Sequence, residues 1–207
     1  MGRALTSPAF SFEKTFPPDV SVRSNGHVVR YDSPRRGGIG MTDEEVLRVA
    51  RAVRRRYRTR EPFTLAAAAG VNVRQEDFCS LRGLYTVILG NAFVALQADM
   101  PEPLARTVLM HELGHHFLHR ELAANRAFRV VSDLPMTERP EYEANLFAAD
   151  MLVSERALAP ILRTHGTEEG AAAELSVCPE LVSIKLECLA RRGLRVNAAY
   201  PGKRFRL

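Results

Sequence analysis

Two histidines four residues apart with a glutamate beside the first, His111-Glu112-Leu113-Gly114-His115, constrain this chain more than any other feature. In an α-helix, residues i and i+4 stand one above the other on the same face. Both imidazoles can therefore reach a single Zn²⁺ if the segment is helical, and Glu112 then sits next to them, placed to act on a water held by the ion. Zinc lowers the pKa of such a water to about 7, and a neighbouring carboxylate can take its proton during attack on a peptide carbonyl. The spacing predicts a helix, a metal and hydrolytic chemistry together.

A catalytic zinc takes three protein ligands and leaves a fourth position open. The stretch Pro140-Glu141-Tyr142-Glu143-Ala144-Asn145-Leu146-Phe147-Ala148-Ala149-Asp150-Met151-Leu152 reads as a helix opening after a proline, and two glutamates compete there for the third place. At roughly 100° per residue, Ala144, Ala148, Met151 and Leu152 form an apolar face that includes Glu141, while Glu143 falls on the opposite side near Asp150. A carboxylate on a buried face is costly unless it is paired or bound to metal. Glu141 is thus the better candidate over Glu143, and Asn145, one turn later, can hydrogen-bond a ligating histidine.

These residues carry a resemblance. HELGHHFLH followed by EYEANLFAADMLV resembles the ImmA/IrrE family of zinc metallopeptidases, with a gluzincin-like site; Val153-Ser154 stands where the family's usual Met-Pro ending would be. The likeness extends more loosely from about Thr42 to Leu194. It implies His111, His115 and Glu141 as metal ligands, Glu112 as catalytic base, and an α+β, mainly helical zincin-like domain with a small antiparallel-containing sheet beside the HExxH helix. It also implies a protein substrate: cleavage of a helix-turn-helix transcriptional repressor that switches on a mobile-element or stress regulon. One ion is expected, Zn²⁺ or, in the cell, Mn²⁺.

The remaining histidines carry less. His116 points away from the metal face. His119 is too close to His115 to act as the third histidine of metzincins, which comes six residues after the second; that position here is Glu121. The expected role for His119 is support of a ligand, or an imidazolium at a helix C-terminus.

The chain has 207 residues, enough for one ordinary domain and an extension. No apolar run approaches bilayer-crossing length, and the N-terminus does not present a basic head followed by an apolar block. Cys79, Cys178 and Cys188 are odd in number and lack CxxC spacing, as reduced cytosolic thiols would be. A soluble, cytoplasmic protein is expected. The net charge of +5 is spread along the chain, apart from the run Arg54–Arg60, which is read as solvated surface.

Residues 1–40 are rich in loop signals and form an N-terminal extension, within which Val20–Tyr31 reads as a mobile or docking hairpin around Asn25-Gly26. The domain spans 41–200, and 201–207 is a tail. Thr42 and Glu45 make a capping-box pattern ahead of Val46, Leu47, Ala50 and Val53. A short helix at Phe63–Ala69 is stopped by Gly70, and Val71–Val73 begins a strand. Leu84–Leu89 and Ala92–Gln97 form a hairpin around Gly90-Asn91. Ala92–Gln97 is the expected sheet edge on which an extended substrate would lie. The metal-bearing helix is expected at Leu104–Arg120, followed by a connector over Glu121–Arg139.

At the C-terminus, helices at Glu168–Leu175 and Pro179–Arg191 resemble a helix-turn-helix. The second presents Glu180 and Glu187 along with Lys185, a poor surface for phosphates, so packing is the expected role and direct nucleic-acid binding is disfavoured. Two alternatives stand beside the peptidase: a zincin scaffold that sequesters a repressor without cutting it, and a DNA-binding regulator.

Overall fold

The computed structural model of the protein describes residues 40–125, 128–130 and 139–193. The expected hairpin at Val20–Tyr31, the tail from 201, and residues 126–127 and 131–138 of the connector lie outside them.

The chain enters through α1 (Asp43–Tyr57), whose start is set by the anticipated capping box. Glu45 N–H donates to Thr42 Oγ1 at 3.3 Å, and Thr42 N–H donates to Glu45 Oε2 at 2.7 Å, so two orphan amides of the first turn are satisfied reciprocally. Val46, Leu47, Ala50 and Val53 are buried, as the spacing predicts. α2 (Pro62–Ala69) opens on a proline at a position where no amide is needed and ends at Gly70.

β1 (Val71–Glu76), β2 (Gly83–Ile88), β3 (Asn91–Gln97) and β4 (Phe128–Val130) form one sheet in the order β1-β3-β2-β4. β3 runs parallel to β1 and antiparallel to β2, and β4 adds three antiparallel residues to β2. The expectation that Ala92–Gln97 is an edge is therefore wrong: β3 is interior, flanked on both sides. Its near-continuous apolar run is what a strand covered on both faces requires, with Ala92, Val94, Ala95 and Leu96 buried. The hairpin turn is also one residue earlier than expected. Ile88 pairs with Asn91, leaving Leu89-Gly90 as the two central residues, both at positive φ (50° and 79°). Such a turn matches the twist of the strands, and Leu89 projects fully into solvent.

α3 (Glu102–Leu118), the predicted metal-bearing helix, packs on this sheet and crosses α5 (Arg139–Leu152). Their approach depends on Gly114. A Cβ there would lie 2.9 Å from Ala144 Cα and 3.0 Å from Ala144 O, closer than packed atoms allow. α4 (Arg120–Asn125) follows α3, and α6 (Glu155–His165), α7 (Glu168–Leu175) and α8 (Pro179–Arg191) complete the order. Pro160 masks α6 in the sequence by lying inside it, yet Leu158 and Leu162 bury its inner face.

α5 corrects a second expectation. It is not amphipathic but enclosed by α1, α3 and α8, with every residue from Glu143 to Leu152 buried. Glu143, expected opposite the apolar face near Asp150, is 2% exposed. Lys185, expected on the surface of α8, is 1% exposed; its ammonium lies 2.7 Å from Asp150 Oδ1 and 3.1 Å from Glu155 Oε1. Arg54 completes this cluster from α1, 2.5 Å from Asp150 Oδ2, so part of the arginine run is structural. α8 packs Leu181, Val182, Ile184, Cys188 and Leu189 inward, which gives its helix-turn-helix pattern a packing role. The result is a predominantly helical α+β fold. Among the described residues, no helix is long and apolar enough to cross a membrane, and Cys79, Cys178 and Cys188 are all free thiols.

Candidate metal centre

His111 and His115 lie one turn apart on α3, both fully buried, with Nε2 atoms 3.0 Å apart. Glu141, from the first turn of α5, brings Oε2 to 3.2 Å from His111 Nε2 and 3.5 Å from His115 Nε2. Donors held about 2.0–2.1 Å from a tetrahedral ion sit about 3.3 Å from one another, and these three separations bracket that value. All three donor atoms lie within 4.8 Å of each other.

The protonation pattern also suits a cation. His111 Nδ1 is 2.6 Å from Asn145 Oδ1, and an amide oxygen only accepts, so the proton sits on Nδ1 and the Nε2 lone pair faces inward. Glu141 Oε2 is buried without an aligned hydrogen bond. Burial would raise the Glu141 carboxyl, but its contacts with His111 and His115 outweigh that and hold it well below the usual carboxylate range. Burial pushes His115 down to about 3, so its imidazole is neutral. Three ligand atoms drawn this close from two helices are an arrangement that one divalent cation satisfies at once.

Glu112 is fully buried beside them. Burial first, and then the charge of Glu141, push its carboxyl well above the ordinary value, with the Tyr85 backbone offsetting part of the rise. Neither of its oxygens has an aligned hydrogen bond among the described residues. Two carboxylates sharing one site separate in this way, one ionising readily and one reluctantly. The strand β2 lies directly against this group: a Cβ on Gly83 would stand 2.6 Å from both Glu112 Oε1 and Val108 Cγ1. Nothing in the local sequence marks Gly83, because its requirement comes from Val108 and Glu112, 25 and 29 positions further along the chain.

His119 caps α3, where its N–H donates to His115 O at 2.8 Å. Of its two expected roles, an exposed imidazolium at the helix end does not fit: the ring is buried, and burial pulls its pKa down against Glu143, which raises it. Instead its Nδ1 lies 3.2 Å from His115 Nδ1 and its Nε2 2.9 Å from Glu143 Oε2. Arg139 Nε donates to the other oxygen of Glu143 at 2.8 Å. His116 faces away from the cluster, as expected, with Nδ1 accepting from the Tyr85 hydroxyl at 3.0 Å and from Arg120 at 3.3 Å. Burial, with Arg120, lowers His116 to about 4. Burial raises the Tyr85 phenol to about 12. The pair therefore meets as two neutral groups.

Comparison with known proteins agrees with the geometry. Residues 66–187, more than half of the chain, match the family model described as the IrrE N-terminal-like domain, a peptidase family. The matched region runs from α2 to α8 and contains the whole cluster. The chain is also similar to the uncharacterized immunity region protein 2 of Bacillus phage phi105, at 27% identity over 132 residues, covering 63% of this chain and 82% of that protein.

Proposed function

The chain belongs to the IrrE N-terminal-like peptidase family, and from that premise we propose that it is a metal-dependent endopeptidase acting on an intracellular regulatory protein. The observation that carries this reading is the convergence of His111, His115 and Glu141 beside the desolvated carboxylate of Glu112. His111, His115 and Glu141 hold the ion. Two imidazoles and one carboxylate suit zinc, with manganese the competing choice. When bound, such an ion polarises a carbonyl and acidifies a water.

Glu112 is the catalytic base. Its Oε atoms, without an aligned hydrogen bond of their own, take a proton from the attacking water and return it to the nitrogen of the leaving amine. Gly83 lets β2 approach closely enough to keep bulk water from that carboxylate. Asn145 holds His111 in the tautomer that binds metal.

The substrate proposed is a helix-turn-helix transcriptional repressor, whose cleavage would switch on a mobile-element or stress regulon. The resemblance to the ImmA/IrrE proteins supports this, as does likeness to a phage protein named for an immunity region. The test compares proteins cut in the native cell by wild type and by Glu112→Gln. Loss of one proton-transfer group should cost about 10²–10⁴-fold in cleavage rate, with metal retained. If the same proteins are cut by both, the peptidase reading fails. If nothing is cut yet the regulon is still induced by the variant, the protein acts by sequestration.

A further inference from the structure

We propose that Glu143 and His119 are positioning residues that act in series to fix the metal-binding tautomer of His115. This inference rests on the metal-centre reading above and adds to it how the second histidine is prepared.

Donors and acceptors set the polarity of this chain of contacts. Glu143, a carboxylate paired with Arg139, can only accept, so the 2.9 Å contact with His119 requires the proton on His119 Nε2. A neutral imidazole carries one proton, so His119 Nδ1 is left as an acceptor. The 3.2 Å contact between the two Nδ1 atoms then requires the proton on His115 Nδ1, which leaves the lone pair of His115 on Nε2. That atom faces His111 Nε2 and Glu141 Oε2. With the opposite polarity, His119 would set a lone pair against the Glu143 carboxylate, two acceptors face to face.

Burial makes the arrangement binding. His115 is fully buried, His119 is 7% exposed and Glu143 is 2% exposed, so water is a poor substitute for any link. Arg139, at the far end, fixes Glu143 Oε1 and also donates to the carbonyl of Met41. The two ligating histidines thus reach one tautomer by different devices, Asn145 for His111 and the His119–Glu143 pair for His115. Both devices draw on the same helix as Glu141. Partners of this kind raise ligand basicity, and their removal typically costs about 10–100-fold in metal affinity.

The experiment uses the full chain in two measurements. Long-range ¹H–¹⁵N correlation on metal-free protein reads the His115 tautomer directly. Zn²⁺ titration against a chromophoric chelator then reads affinity, in wild type, Glu143→Gln, Glu143→Asp and His119→Gln. Wild type should show His115 protonated on Nδ1. Glu143→Gln and His119→Gln should lose that single tautomer and bind Zn²⁺ about 10–100-fold more weakly, with unchanged circular dichroism, while Glu143→Asp, which keeps the carboxylate, recovers part of the loss. If Glu143→Gln does not fold, His119→Gln carries the same comparison. The inference is overturned if wild type binds Zn²⁺ tightly and these variants keep both the tautomer and the affinity within twofold. A wild type that holds no Zn²⁺ would sink the metal-centre reading instead, and the tautomer of metal-free protein would still decide the relay.

Discussion

The two ends of α5 both bury charge, and they do so in opposite ways. At the C-terminal end Asp150 is met by Lys185 and Arg54, and Lys185 by Glu155, so every buried charge has an opposite within hydrogen-bond reach. At the N-terminal end Glu141, Glu112, His111 and His115 bring together carboxylate oxygens and imidazole lone pairs, and both Glu112 oxygens and Glu141 Oε2 are buried without an aligned hydrogen bond. A protein interior tolerates buried polar groups when they are satisfied. A balanced cluster is a structural joint. A cluster with an excess of acceptors is a place for a cation.

The largest expected effects separate these two roles. Glu141→Ala or His111→Ala should lower Zn²⁺ affinity by more than about 100-fold, beyond what loss of a supporting partner costs, as read by chelator competition. In metal-free protein the same Glu141 substitution should cost little stability beside Asp150→Ala, since Glu141 Oε2 lacks an aligned hydrogen bond. Asp150→Ala should do the reverse. Leaving the Lys185 ammonium with only the part-exposed Glu155 should cost about 3 kcal/mol in denaturant unfolding, with little change in metal affinity of the folded fraction. Equal effects of the two substitutions on both measurements would erase the distinction.

Gly114→Ala sits between the two. Its Cβ would press on the Ala144 backbone and push α3 from α5, which carry different members of the candidate cluster. A loss of about 1–3 kcal/mol in stability should come with weakened metal binding. A loss of stability alone would mean that the site tolerates the shift.

Acid should also distinguish the ends in metal-free protein. His115 is held near 3, mainly by burial. Unfolded histidine takes up a proton near 6.5, so below that pH the unfolded chain binds more protons than the folded one. Stability is then full above about 6.5 and falls as pH drops toward 3, by about 1.4 kcal/mol per pH unit for each such group. At the other end, burial would raise the Asp150 carboxyl, but Lys185 and Arg54 outweigh it and the net direction is down. Its contribution is present above the ordinary aspartate value near 3.9 and is lost only as pH falls below it. Melting temperature followed from pH 7 to 3 should thus decline first through the histidines, identically in wild type and Asp150→Asn. The two should diverge only in strong acid, where the smallest of these differences is expected. Divergence already at pH 6 would reassign the first decline.

Legibility follows the range of the interaction that decides each feature. The capping box of Thr42 and Glu45, the stop at Gly70 and the i, i+4 histidines depend on neighbours within one helical turn, and all are readable in the sequence. Asn145 is readable as a partner for a candidate ligand because it falls one turn after Glu141, and it meets His111. Preferring Glu141 over Glu143 from the sequence relies on an apolar face that α5 does not have. Burial on all sides hides that fact, since a helix enclosed by three others shows no polar side. The same blindness places Lys185 on the surface and β3 at an edge.

Taken alone, the order of residues determined helices, their caps and the chemistry of the candidate ligands, because hydrogen bonding within a turn and the i, i+4 stacking of side chains are local. Tertiary structure alone decided which buried groups meet: Glu143 with His119, Lys185 with Asp150, Gly83 with Glu112, and β1 beside β3. Those pairings depend on close packing between segments far apart in the chain, where a gap or overlap of about an ångström changes which contacts can form.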